Sequence, residues 1–271
     1  MKLLRSYNAL GIKNKQVYFV LLSFFRIFAC MLVKTQAVVL RTIKYGENKL
    51  IVDFLTEQEG RLSCVVGIPK TQRGKLKKQF FQPLTILDLE MDVRPKQQLH
   101  HIRDARIGIP FTSIPFDPTK LSILLFLAEF IYHGTRDEQC NPNLYQFVVN
   151  SLQWLDGCSE QFANFHLVFM MRLSRFIGFF PYVEDYHEGD MFDLRAASFT
   201  QKVPLHNDYL TAVDAARINN LLRMNYASMH LFKMNHDDRN RIVDVIVNYY
   251  RLHVPAFPEL RSLDVMKELW R

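Results

Sequence analysis

The residues best suited to chemistry in this sequence are basic and stand close together. The stretch KTQRGKLKK, residues 70–78, contains five of them, and from Arg61 to Leu87 there are six basic residues and no acidic one. Lysine and arginine at this density form a positive surface that attracts polyanions such as nucleic acids. On composition alone, a nucleic-acid platform and an ordinary solvated loop are about equally well supported.

Charge is distributed unevenly along the chain, which has 271 residues and a net charge of +7. Residues 1–30 carry five basic groups and no acid, and residues 31–109 carry fourteen basic and eight acidic groups. The remainder carries fifteen basic and nineteen acidic groups. A polyanionic partner is therefore expected on the N-terminal part of the protein.

The sequence lacks the motifs of common catalytic sites, since GxxxxGK[ST], GxGxxG, HExxH and GxSxG are all absent. The neighbouring histidines His100 and His101 would point to opposite faces of a strand. We therefore predict that the protein is not an enzyme. The four cysteines contain no CxxC pair, which suits a reducing cytosol and disfavours structural zinc. They are Cys30, Cys64, Cys140 and Cys158.

Acidic and histidine side chains are also frequent between residues 178 and 209. They are Glu184, Asp185, His187, Glu188, Asp190, Asp193 and His206. Oxygen and imidazole ligands of this kind can bind metals, but metal sites need ligands at tight and regular spacing. That spacing is missing, so we predict no metal site here.

Three short apolar runs precede the basic tract and must position it. Gln36–Ile43, Leu50–Leu55 and Arg61–Ile68 are rich in Val, Ile and Leu and are separated by turn residues, which predicts consecutive antiparallel strands. Phe80–Val93 and Leu99–Ala105 add a fourth and a fifth strand. Five strands in this length fit a small closed barrel, for which the OB-fold is the obvious candidate.

Three prolines between Ile109 and Pro118 predict a linker, and the pattern beyond it is helical. The first helix is apolar nearly all round, so we expect it to be buried, and we interpret the phenylalanine stripe of the third as core. The predicted helices are Leu121–Tyr132, Asn143–Leu155, Gln161–Phe176, Ala212–Met224, Asp237–Leu252 and Ser262–Trp270. An irregular insert over residues 178–209 interrupts them, with a short hairpin at Met191–Phe199.

The predicted fold class is therefore α+β, with an N-terminal five-stranded OB-fold barrel followed by an all-helical C-terminal domain. The expected boundaries are 31–108 for the barrel and 109–271 for the helical domain.

Residues 1–30 admit several interpretations. A basic start followed by the apolar run Val17–Val33 suggests a signal sequence or short anchor, although Arg26 interrupts the run. A membrane span needs roughly 20 apolar residues. The stretch before Cys30 resembles a lipoprotein cleavage box, which would make the protein a membrane lipoprotein. We favour Met31 as the true start and residues 1–30 as a non-native extension, because a strand-forming domain begins directly after Met31.

Several motifs together resemble the RecO family of bacterial recombination mediators, and the resemblance extends over residues 31–271. The basic tract and Phe80–Leu84 stand where the family has its basic loop and next strand. The other N-terminal matches are Ala37–Arg41 (AVVLR), Tyr45–Val52 (YGENKLIV), Thr56 and Gly60–Leu62 (GRL). The C-terminal matches are looser and comprise Phe165–Gly178, Arg241–Leu252 and Arg261–Leu263.

The resemblance implies an OB-fold and a helical domain, binding of single- and double-stranded DNA, strand annealing, and help in loading RecA onto DNA coated with single-strand binding protein. It also implies RecR and the C-terminal tail of that binding protein as partners. We expect a cytoplasmic protein without cofactor or membrane contact. Many family members carry a four-cysteine zinc module between the helices, but Tyr182–Tyr209 has no cysteine, so zinc is not expected.

Two sets of site residues follow from these hypotheses. For DNA, the expected contacts are Lys70, Arg73, Lys75, Lys77 and Lys78, with Arg41 and Arg61 as candidates on the barrel face and Tyr45, Phe80 and Phe81 for base stacking. The alternative is a peptide-docking module with incidental DNA contact. In it, Arg172 or Arg175 would pair with an acidic tail whose aromatic end fills a pocket beside Phe169 and Phe176.

Overall fold

Five strands in the N-terminal part close into a barrel in a computed structural model that describes residues 31–68, 76–94, 97–136 and 138–269. The interpretations of residues 1–30 therefore lie outside the described residues. The order around the barrel is β1-β2-β3-β5-β4, and β4 closes it by pairing with β1. Among these five strands, β3 and β5 pair in parallel and the other neighbours pair antiparallel. The strands are β1 (Met31–Tyr45), β2 (Lys49–Thr56), β3 (Gly60–Gly67), β4 (Ile86–Val93) and β5 (Leu99–Ile109).

The barrel forms because alternate residues of its strands are apolar. On β2, for example, Leu50, Val52 and Phe54 belong to the barrel core. The predicted turns are confirmed: Gly46 lies in the turn after β1, Gly60 directly follows the turn after β2, and both glycines have a φ of 70°. The five-stranded barrel of the OB type is thus confirmed.

Six α-helices follow within the described residues, and the predicted helical part of the fold is confirmed. Polar residues begin three of them, since Asp117, Asn141 and Asn235 each accept backbone N–H groups of the first turn. The helices are α1 (Pro118–Gly134), α2 (Pro142–Gly157), α3 (Phe165–Phe176), α4 (Ala212–Arg223), α5 (His236–His253) and α6 (Arg261–Leu269).

The prediction that α1 is buried is confirmed for most of the helix, but one side of it is exposed. Leu121 and Leu125 are 39 and 44% exposed, and their spacing of four residues puts them on the same face of the helix. The neighbouring α6 covers another part of α1, where the Glu129 carboxylate accepts the backbone N–H groups of Arg261 and Ser262. The apolar composition of α1 therefore predicts that the helix is largely buried, but it does not predict which side stays exposed.

The insert contains a three-stranded sheet. The predicted hairpin is confirmed as β6 (Met191–Asp193) and β7 (Ser198–Thr200), and β8 (Tyr209–Leu210) pairs with β6 on its other side. Phe192 packs against Tyr249 of α5 at 6.1 Å between ring centroids, which fixes the insert to the helices.

The segment between the barrel and α1 is held by one carboxylate at the end of α2. Asp156 accepts the backbone N–H groups of Thr112, Ser113 and Ile114 at 2.7, 2.8 and 2.9 Å. The buried side chain of Lys120 donates to the hydroxyl of Ser113 and to two carbonyl groups near the end of α2. These contacts fix the proline-rich segment, which the sequence alone predicts only as a linker.

Barrel and helices also share apolar packing. Val38, Leu40 and Leu55 on the outer side of the barrel belong to the same buried cluster as the helix residues. Polar contacts add to this packing, because the Tyr145 hydroxyl of α2 donates to Gln36 at 3.3 Å. Burial of apolar surface across this boundary holds the two parts against each other. Within the described ranges, no helix is both long and apolar enough to cross a membrane.

Candidate nucleic-acid interface

The C-terminal end of the basic tract is fixed to the barrel. Lys70, Arg73 and Lys75 lie outside the described residues, whereas Lys77 and Lys78 are exposed. Lys78 begins a 3-10 turn that ends at Phe81. The ring of Phe81 lies in the barrel core and packs edge-on against Phe54, with 6.5 Å between the ring centroids. The core therefore holds the backbone that presents Lys77 and Lys78 to solvent.

The three candidates for base stacking differ in exposure. Tyr45, the last residue of β1, is 54% exposed, so its ring is accessible. Phe80 is half-buried against the barrel core. Phe81 is 1% exposed, and its prediction as a stacking platform is wrong because its ring fills the barrel interior. Adjacent residues of this turn thus face in different directions.

Arg41 and Arg61 both meet Tyr132, near the end of α1. The Arg41 and Arg61 guanidinium carbons lie 5.0 and 4.9 Å from the centroid of the Tyr132 ring. Arg41 donates to the Tyr132 hydroxyl at 3.0 Å. Arg61 donates to the Tyr132 carbonyl at 2.9 Å and to the Thr135 hydroxyl at 3.1 Å. Both arginines therefore lie where the barrel meets the helices, and Arg41 remains exposed.

Further positive charge surrounds this contact. Burial lowers the pKa of His133, and the guanidinium groups of Arg41, Arg136 and Arg61 lower it further, against an opposing effect of Glu129. Arg136 is exposed just beyond α1. The sequence analysis missed Tyr132, His133 and Arg136, because nothing in their local pattern shows that α1 ends beside β1 and β3.

Another side of the barrel is acidic. A groove of about 350 Å³ is lined there by residues of β1, β4, β5 and the β2–β3 turn. Lys34 pairs with Glu90 at 2.5 Å and Arg106 with Asp104 at 3.2 Å, so both cations are neutralised. The remaining carboxylates, those of Glu57 and Asp88, leave this groove negative, and such a groove repels nucleic-acid phosphates.

The predicted peptide pocket is only partly present at the surface. Phe169 is fully buried, so its prediction as a pocket residue is wrong: it fills the helical core. Arg172 is half-buried and donates to the Met224 carbonyl at 2.9 Å. Arg175 is exposed, and its guanidinium lies 4.3 Å from the centroid of the Phe180 ring. Phe176 is half-buried and stacks on another ring of the helical part.

The histidines and acids of the insert lie in separate pairs. His187 approaches Asp190 at 3.6 Å and His206 approaches Asp193 at 3.4 Å. Among the described residues, no three His, Cys, Asp or Glu side chains come together in a way that could hold a metal.

His100 is 4% exposed and His101 is exposed, which confirms that they point to opposite faces of β5.

Two family models match the sequence. Recombination protein O N terminal matches residues 31–111, and Recombination protein O C terminal matches residues 115–264. The sequence is 48% identical to the DNA repair protein RecO of Bacteroides fragilis over 241 residues, which is 89% of this chain and 100% of that protein. The proteins of the same name from Phocaeicola vulgatus and Flavobacterium psychrophilum are 47 and 30% identical, with the same shares covered.

Proposed function

The chain belongs to the RecO family of DNA repair proteins, and on that premise we propose that its barrel binds single- and double-stranded DNA through the basic tract, residues 70–78. Bound in this way, it anneals complementary strands and helps to load RecA onto DNA coated with single-strand binding protein. The observation that carries the proposal is the anchoring of Lys77 and Lys78 by Phe81 in the barrel core.

Affinity in this proposal comes mainly from neutralised phosphates. Each contact from a lysine or arginine releases condensed counterions, so the salt dependence of binding steepens by roughly 0.7 per contact on single strands. Such contacts do not read sequence, and annealing needs no sequence readout by the protein. The exposed ring of Tyr45 adds a surface on which a base can stack. The acidic groove at Asp88 keeps the backbone on the basic side.

Partners are part of the same proposal. RecR and the C-terminal tail of single-strand binding protein are the expected protein partners, and the cytoplasm is the expected location. No catalytic step and no cofactor are needed.

A second candidate function, peptide docking by the helical part, is supported by the exposed Arg175, whose guanidinium lies 4.3 Å from the centroid of the half-buried Phe180 ring. An acidic peptide with an aromatic end matches that pair of groups.

A salt series tests the DNA proposal with matched variants. We would measure fluorescence anisotropy of a labelled single-stranded oligonucleotide with Lys77→Ala/Lys78→Ala, and with Lys202→Ala/Lys233→Ala as a control that removes the same charge from exposed positions of the helical part. A plot of log affinity against log salt has a negative slope. We expect the magnitude of this slope to fall by about 1.4 for the first variant and to stay unchanged for the control.

A variant with Lys70, Arg73, Lys75, Lys77 and Lys78 all changed to alanine should lose most of the binding and the annealing of complementary oligonucleotides. Equal slopes for wild type and this variant would refute binding through the tract. Binding of an acidic peptide without any DNA binding would favour the docking function instead.

A further inference from the structure

We propose that the notch where the barrel meets the end of α1 is a second phosphate-binding site for the DNA backbone, formed by Arg41, Arg61 and Arg136 and organised by Tyr132. This inference rests on the proposed DNA-binding function and extends its surface from the barrel onto the helical part. The chemical class of the ligand is a phosphodiester backbone, whose sequence the site does not read.

Three guanidinium groups reach this notch from different parts of the chain. Arg41 comes from β1, Arg61 from β3, and Arg136 from the residues that follow α1. Two of them are oriented by one ring, because both guanidinium carbons lie about 5 Å from the Tyr132 centroid. A stacked guanidinium keeps its N–H groups in the plane of the fork, where they can bind a phosphate in a bidentate way.

Arg41 and Arg136 have donors available for a ligand. Arg41 is exposed and uses one nitrogen, Nη1, for the Tyr132 hydroxyl. Within the part of the chain that the structure describes, neither Arg41 nor Arg136 forms an ion pair. Arg61 is bound to α1 and therefore contributes its charge and its positioning of the helix end rather than a complete fork.

Two of the carboxylates nearby, those of Asp53 and Glu129, accept hydrogen bonds from groups outside the notch. Asp53 faces Arg41 in the register of β1 and β2, but it is 8% exposed and accepts the hydroxyl of Ser63. Glu129 near His133 accepts the Ser262 N–H at 2.8 Å and its hydroxyl, so it is engaged in capping α6. Asp137 and Glu138 follow Arg136 in the sequence, and these two carboxylates offset only part of the charge of three guanidinium groups.

The position of the notch supports the same ligand. It lies beside β1 and β3, and barrels of the OB type bind oligonucleotides on the face of their second and third strands, to which β3 belongs. The site is complete only while α1 is docked on the barrel, because Tyr132 and Arg136 come from the helical side. DNA binding at the notch is therefore coupled to the contact between the two parts of the protein.

Single substitutions in the full chain test the site by anisotropy of single-stranded DNA across a salt series. We expect Arg41→Ala and Arg136→Ala each to reduce the magnitude of the slope of log affinity against log salt by about 0.7. Arg251→Ala, which removes the same charge from an exposed position on α5, should leave the slope unchanged. Arg41→Lys keeps the charge but not the fork, so the affinity should fall several-fold while the slope stays.

Substitutions of Tyr132 test the orientation of the arginines separately from their charge, because they change the DNA affinity without changing the net charge. Tyr132→Phe keeps the ring and should cost little affinity, whereas Tyr132→Ala should weaken binding several-fold without any change of charge. Urea midpoints of all variants show whether each variant is folded.

If wild type fails to bind DNA, the proposed function fails. If wild type binds and the tract variant loses slope, while Arg41→Ala and Arg136→Ala behave like Arg251→Ala, only the notch is refuted.

Discussion

Replacing Asp156 with asparagine removes the group that fixes the segment between barrel and helices. The Asp156 carboxylate accepts three backbone N–H groups, at residues 112–114, and the Thr112 hydroxyl at 2.8 Å. An asparagine in the same place has one acceptor oxygen, and its amide N–H groups would face the donors of the segment. We therefore expect Asp156→Asn to destabilise the protein while leaving both hydrophobic cores intact.

The size of the effect follows from the pKa of the carboxyl group. Partial burial tends to raise the pKa of Asp156, but hydrogen bonds from the N–H groups of Ile114, Thr112 and Ser113 outweigh it and lower the pKa from 3.8 to about 2. That shift corresponds to about 2.4 kcal/mol in the free energy of unfolding before solvent is considered. Since the carboxylate is partly open to water, screening reduces the expected loss to about 1–2 kcal/mol.

The dependence on pH has a definite sign. A carboxyl group whose pKa is lower in the folded protein stabilises the fold above the pKa of the unfolded chain, and this contribution is lost as the pH falls towards 2. The difference between wild type and Asp156→Asn should therefore be constant from pH 7 to pH 5 and be reduced to roughly half at pH 3.

Urea unfolding at pH 7, 5 and 3 checks these values, with the half-buried Trp154 as a fluorescence reporter. Asp185→Asn, which makes the same charge change on an exposed side chain, is the control and should leave the midpoint within experimental error. If Asp156→Asn unfolds at the wild-type midpoint at pH 7, the carboxylate does not hold the segment. If its deficit is undiminished at pH 3, the loss does not come from the ionised group.

Three further outcomes are expected. Lys120→Met removes the buried ammonium group that donates to the Cys158 carbonyl and to the Ser113 hydroxyl, and should cost about 2–4 kcal/mol in the free energy of unfolding, read from urea unfolding. Gly60→Ala should destabilise the protein by about 1–3 kcal/mol more than Gly46→Ala does. Both glycines have a φ of 70°, but a Cβ at Gly60 would lie 2.8 Å from the Cys140 nitrogen, whereas a Cβ at Gly46 would have no atom within 4 Å. Alkylation followed by mass spectrometry should label the exposed Cys140 in the native protein and spare Cys64, whose pKa burial raises to about 12. Modification of both at similar rates would contradict the barrel packing.

Local sequence patterns were sufficient for most elements. Apolar runs separated by turn residues gave β2 and β3 within a residue or two, because alternation and turn chemistry are local properties. Helical periodicity likewise located α1, although this helix begins at Pro118, three residues before the predicted Leu121. The strand β1 begins earlier than predicted, since Met31–Gln36 pairs with β4, more than fifty residues away in the sequence. Pairing at such a distance leaves no local signal.

The candidate site shows the same limit more sharply. The basic tract was visible as composition, but the burial of Phe81 depends on how the turn meets the barrel core. Arg41 and Arg61 were chosen as barrel-face residues, yet their contacts with Tyr132 join residues 91 and 71 positions apart in the sequence. Charge can therefore be counted from a sequence, whereas the partner that orients a charged group can be found only after the chain has folded.

The fixed boundary between barrel and helices bears on how DNA would be held. Asp156 and Lys120 hold the connecting segment through hydrogen bonds, and the Tyr145 hydroxyl donates a hydrogen bond to Gln36 of the barrel. Because the two parts also pack into one apolar cluster, a track of phosphates from Lys77 and Lys78 to the notch at Tyr132 would cross a surface on which the barrel and the helices are held together. A positive surface beside a negative groove favours one path for a bound strand. Loosening the boundary with Lys120→Met should therefore weaken DNA binding more than its single lost charge explains, although Lys120 itself is buried away from any strand.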